Sequence, residues 1–150
     1  MPGSPLRQRI RLRSEPTAPR RARDFLGAVC AGWNEPGFVD TGGLLVSELV
    51  SNAVLHARTP VEVLLQLADG RLLIQVHDDG SGVPAVVPAA NRVIGGNGLD
   101  IVSRLAESWG VTPDGPGDAD ADGAENKRAG GKSVWCVILP DPVPAGNAAP

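Results

Sequence analysis

The sequence predicts an α/β protein built as an α+β two-layer sandwich, a mixed, mostly antiparallel sheet with helices on one face. Three observations predict it. Runs of period-two alternation occur near both ends of the chain and in its middle. Two longer apolar stretches have helical spacing instead. Ala68-Asp69-Gly70 joins two of the alternating runs, which is a hairpin signal and so an antiparallel one.

Taken in order, residues 6–13 alternate: Leu6, Ile10 and Leu12 on one side, Arg7, Arg9, Arg11 and Arg13 on the other. This reads as a half-buried strand, an edge guarded by charge. Residues 17–31 place Ala22, Phe25, Leu26 and Val29 at helical spacing, with Thr17 as cap and Gly32 as stop. A second helix opens at Asp40 or Thr41 and ends at Arg58-Thr59-Pro60. Residues 61–67 and 71–78 form the hairpin. Residues 79–98 form a long loop containing glycine and proline. A short helix over 99–108 turns Leu99, Val102, Leu105 and Ala106 inward, and short strands cover 109–111 and 133–139. Two long helices are expected to cover one face of the sheet.

At 150 residues and 42% hydrophobic content, the chain makes one ordinary domain. Its expected span is 6–140, with a tail at 1–5, a mobile acidic loop at 112–131 and a disordered tail at 141–150. Aromatic residues are 3% of the chain and Tyr is absent, so the core is aliphatic. A net charge of -3 argues against direct nucleic-acid binding. Two cysteines in apolar surroundings, Cys30 and Cys136, fit a reduced cytoplasm better than a disulfide framework. No apolar run is expected to reach the ~18 residues of a membrane span, and no secretory core opens the chain. A cytoplasmic protein with no membrane partner is expected.

The chemistry-bearing positions are few. Glu48 and Asn52 stand four residues apart in the apolar stretch 44–57, hence on one helical stripe. A carboxylate and an amide on a buried stripe need a partner, and a metal-bound anion would supply one. In 71–78, Leu72, Ile74, Val76 and Asp78 share a face, so a carboxylate is aimed at the core edge. It needs a donor, such as a ligand amine. Asp79-Gly80-Ser81-Gly82 follows, where a ligand can approach bare backbone. Gly95-Gly96-Asn97-Gly98-Leu99 opens a helix, an arrangement suited to phosphate. Each motif alone has a bland reading: a solvated stripe, a tight turn, a helix cap. Their order is what carries information.

Three lookalikes fail. Gly131-Lys132-Ser133 ends like a phosphate-binding Walker loop, but Asn126 stands where its first glycine is required, and a strand follows in place of a helix. Asp118, Asp120, Asp122 and Gly123 begin like a calcium loop whose twelfth position is Ala129. Trp33, Trp109 and Trp135 are too scattered for a base-stacking platform and read as core or cover.

In this order the motifs resemble the GHKL superfamily of ATPases and kinases, with the Bergerat ATP-binding fold, over residues 6 to 140. The nearest likeness is the stand-alone branch related to anti-sigma-factor serine kinases. Residues 48–57 look like the family's N box, 78–82 its first glycine box, 96–99 its second, and 131–135 its closing strand. The resemblance implies ATP and Mg²⁺ as cofactors. Asn52 would hold the metal and Glu48 would be the general base. Asp78 would accept from the adenine amine, helped by Ser133. Gly80 and Gly82 would admit adenine and ribose. Gly96 and Gly98 would cradle phosphate ahead of Leu99, and 83–94 would be the lid, with Arg92 its one cation. His56 would pack or support, and His77, of opposite parity to Asp78, would be exposed.

The implied activity is a serine/threonine protein kinase acting on an anti-anti-sigma partner, with a sigma factor as a further partner. This branch often forms homodimers. Two other readings stay open: a non-catalytic ATP-binding partner switch, and an orphan histidine-kinase-like ATPase domain.

Overall fold

The computed structural model describes residues 3–80, 98–113 and 131–142. Within them, five strands form one sheet in the order β1-β2-β3-β5-β4. The strands are β1 (Leu6–Leu12), β2 (Val61–Ala68), β3 (Arg71–Asp78), β4 (Ser108–Pro113) and β5 (Lys132–Ile138). Every neighbouring pair is antiparallel. The helices are α1 (Ala18–Gly32), α2 (Val39–Ala57) and α3 (Gly98–Leu105), with a 3-10 turn at Pro36–Phe38 before α2. The expected two-layer α+β architecture is present.

Local chemistry explains the elements. Asp69 and Gly70 both have positive φ, 53° and 73°, the left-handed pair that a two-residue hairpin turn requires. Ala68 therefore pairs with Arg71, which sets the β2–β3 register. In α1, Ala18, Ala22, Leu26 and Cys30 recur every fourth residue and are all buried, one stripe against the core. In α2, Leu45, Val46, Leu49, Val50 and Ala53 are buried. They meet Val61, Val63 and Leu65 of β2 and Leu72, Ile74 and Val76 of β3 in one largely aliphatic cluster that also includes Phe38. Burying a Val or Leu side chain stabilises by about 1.5–3 kcal/mol, so this cluster dominates folding.

The segment Pro36–Ala57 is long and apolar enough by composition to cross a membrane, with mean hydropathy 1.3. In this fold it is the core helix of the domain.

Several boundaries differ from expectation. Neither Asp40 nor Thr41 caps α2. The 3-10 turn leads straight into Val39, and Thr41 donates its Oγ1 hydrogen to Asp141. Asp141 also accepts from the Thr41 backbone at 3.3 Å, which ties the start of the expected C-terminal tail to α2. Thr17 sits at the start of α1 without a side-chain capping bond. The helix α3 ends at Leu105, which is 48% exposed, and Ile101 packs on the core instead. The charged β1 is an edge strand, as expected, with Arg9 near Glu62 and Arg7 donating to Gln66 across the pair. The lid 83–94 lies outside the described residues, as does nearly all of the acidic loop 112–131.

Candidate nucleotide site

The site is built where the C-terminal end of β3 meets the end of α2. Arg58 closes α2 in the left-handed region, φ 54°, and turns the chain toward β2. The hydroxyl of Thr59 then accepts the Asp79 backbone N–H at 3.1 Å, tying the two ends together. Gly80 completes the joint. A Cβ there would stand 2.7 Å from Ala57 Cβ and 2.9 Å from Ala57 Cα. The missing side chain is therefore required for helix–strand packing, a reason distinct from the ligand approach expected from the motif.

Asp78 shares the helix-side face with Leu72, Ile74 and Val76, as its parity predicts, and is 1% exposed. Its Oδ1 accepts the Gly80 backbone N–H at 2.8 Å and the Lys132 Nζ at 3.0 Å. Lys132 is itself 2% exposed. The sequence reading gave Lys132 no role and put Ser133 beside Asp78. The register overturns that placement. Asp78 pairs with Lys132, and His77 pairs with Ser133. Because successive residues of a strand point to opposite faces, Ser133 is on the far side of the sheet from the Asp78 carboxylate. There its hydroxyl meets His77 Nδ1 at 3.1 Å, and His77 Nε2 lies 3.3 Å from Asp79 Oδ1. His77 is thus half-buried and hydrogen-bonded where exposure was expected. The signal for Lys132 was present in β5 itself. Val134, Cys136 and Ile138 are core-facing, and the same parity leads back to Lys132.

Glu48 and Asn52 lie on the flank of α2, half-buried, where full burial was expected. Neither side chain has a hydrogen bond or ion pair with any other residue among those described. An acid and an amide one turn apart thus stand beside the core without internal partners. His56 is exposed, which removes its expected packing role. Leu99 is 5% exposed and packs in the core at the first turn of α3. Gly98 begins that helix, while Gly82, Gly96 and Arg92 fall outside the described residues. Both cysteines are buried free thiols. Burial pushes Cys136 up to about 12, and burial together with the Glu35 charge raises Cys30. Neither is a nucleophile at neutral pH.

This arrangement presents a carboxylate at the end of the central strand β3, an uncommitted acid and amide on the neighbouring helix, and a second helix starting from a glycine-rich approach. No curated protein matches the chain. A family model for the histidine kinase-like ATPase domain matches residues 12–118, a span that contains Glu48, Asn52, Asp78, Gly80 and Leu99 and ends before Lys132. That family implies ATP binding and an ATP-dependent kinase or ATPase activity. With the two-layer fold and the strand-end carboxylate, the match establishes that the chain belongs to the histidine kinase-like ATPase domain family, within the GHKL superfamily.

Proposed function

We propose that the protein is a Mg²⁺-ATP-dependent serine/threonine protein kinase of the anti-sigma type. It acts in the cytoplasm on an anti-anti-sigma partner and has a sigma factor as its second partner. The observation that carries this reading is Glu48, a half-buried carboxylate one helical turn from Asn52 with no partner among the described residues. Such a carboxylate is available as a proton acceptor. Glu48 takes the proton of the partner's seryl or threonyl hydroxyl as that oxygen attacks the γ-phosphorus. The bond from phosphorus to the β,γ-bridging oxygen breaks, and ADP leaves with the electron pair. Asp78 accepts from the adenine amine.

Asn52 fits Mg²⁺. Its amide oxygen is an uncommitted acceptor, and the described residues hold no group of three or more His, Cys, Asp or Glu that could bind a metal alone. Phosphate oxygens and water would complete the shell, as is usual for this ion. The metal would neutralise charge on the phosphates.

The test is incubation with γ-labelled ATP, Mg²⁺ and lysate of the source organism. The expected result is acid-stable label on a small partner, with Glu48→Gln lowering transfer by about 10²–10⁴-fold while ATP binding persists. Acid-labile label would mean a phosphohistidine product. Bound ATP with neither transfer nor phosphate release would mean a non-catalytic partner switch.

A further inference from the structure

The family reading uses Asp78 but leaves Lys132 without a task. An ammonium has three donors. Lys132 spends one on Asp78 Oδ1 and has no other partner among the described residues, although it is 2% exposed. Oδ1 is saturated, since it also accepts the Gly80 N–H. Oδ2 has no partner among the described residues. A buried ion pair with donors left over is poor stabilisation, because an apolar pair of similar volume does as well or better. The next helix-side pair along the ladder, Val76 with Val134, is apolar. Stability alone therefore does not explain Lys132.

What the pair offers is one open acceptor beside open donors, fixed at the end of β3 and β5. The complementary ligand edge has one donor next to one acceptor. Adenine presents this as its 6-amino group and N1. Hypoxanthine presents the reverse, an N1–H donor beside an O6 acceptor. Guanine adds a second donor next to N1–H, and a second acceptor oxygen is what the saturated Oδ1 cannot supply.

We propose that Lys132 is a base-reading residue, which donates to adenine N1 while Asp78 Oδ2 accepts from the 6-amino group. The inference rests on the ATP-binding reading above and adds to it how the base is told apart. The ion pair holds both groups in place before the nucleotide arrives, so neither must be ordered on binding. It also keeps Lys132 from leaving an isolated charge in the core when the site is empty.

The experiment is calorimetry of the full chain with Mg²⁺ and four nucleotides: ATP, 1-deaza-ATP, ITP and GTP. The 1-deaza analogue keeps the amino group and lacks only the N1 acceptor. Wild type is expected to bind ATP about 10- to 100-fold more tightly than 1-deaza-ATP, as for a hydrogen bond to a charged group. ITP and GTP should be weaker still. In Lys132→Met the ATP to 1-deaza-ATP ratio should fall to about one, because the donor is gone and the analogue loses nothing further. Equal binding of ATP and 1-deaza-ATP by wild type overturns the inference and needs no variant. An undiminished ratio in a folded Lys132→Met protein overturns it as well. If wild type binds none of the four, the ATP-binding reading itself fails, which is a separate outcome.

Discussion

The two faces of the β3–β5 ladder end make an instructive contrast. On the helix side, Asp78 and Lys132 are buried as an ion pair with an acceptor and donors to spare. On the other side, one residue along each strand, the buried Ser133 hydroxyl and the partly buried His77 and Asp79 form a chain of hydrogen bonds. Gln75 adds a longer contact to the Ser133 hydroxyl at 3.5 Å. The residue types are equally polar, and the register is shared. What differs is water. On this more open face His77 and Asp79 keep some contact with solvent and Ser133, although buried, is hydrogen-bonded, so the three call for no ligand. On the closed face an unmet donor costs roughly 1–3 kcal/mol, and more when charged, so it implies a ligand.

The contrast is broken most severely by Asp78→Ala. The Lys132 ammonium is then buried without its counter-charge, and urea unfolding should show a loss of about 3–5 kcal/mol. Adding Lys132→Met should restore most of it, because the stranded charge is removed. If the double variant is as unstable as the single one, the cost lies in packing and not in the charge.

Two glycines sharpen the comparison next. Gly80→Ala drives a Cβ to 2.9 Å from a backbone atom, Ala57 Cα, at the joint that holds Asp78. It should cost about 1–3 kcal/mol and weaken ATP binding. On the open face, a Cβ at Gly110 would meet the Trp135 ring at 2.7 Å. There the obstacle is a partly exposed side chain and not backbone, so Gly110→Ala should cost less and leave ATP affinity unchanged. Thermal melts and calorimetry on both variants check the ordering.

Cys136 lies on the closed face, four residues beyond Lys132, with its thiol raised to about 12 by burial. The unfolded thiol ionises near 9.0, so above that pH the unfolded chain holds fewer protons than the folded one. Stability should therefore fall as pH rises from 9.0 toward 12, by up to about 1.4 kcal/mol per pH unit from this group. Denaturant midpoints at pH 8, 9 and 10 measure the slope, and Cys136→Ala should remove that part of it.

The smallest effect belongs to Ser133→Ala on the open face. One ordinary hydrogen bond is worth about 0.5–1.5 kcal/mol. Affinity for ATP should not change, because the hydroxyl points away from Asp78. A clear loss of affinity would return Ser133 to the adenine site and unseat Lys132.

Much of the fold was legible because its signals are local. The Asp69-Gly70 turn, the alternation in β1 and β3, and the four-residue stripe of α1 each depend on neighbours a few residues away. The order of motifs along the chain was enough to identify the family. Parity correctly placed Asp78 on the core side. The same parity in β5 turns Lys132 toward Asp78 and Ser133 away from it. A lysine at a core-facing position looks wrong until a carboxylate is known to lie opposite.

By itself, then, the sequence determined the elements, the family and the facing of Asp78, all of which follow from local periodicity and short motifs. Only the tertiary structure decided which residue stands beside Asp78, since that depends on the register between strands more than fifty residues apart. It also decided that Gly80 is needed for its contact with Ala57 and that Glu48 and Asn52 are half-exposed and uncommitted. Contacts of this kind arise from closing long loops onto one core, and no short window of sequence contains both partners.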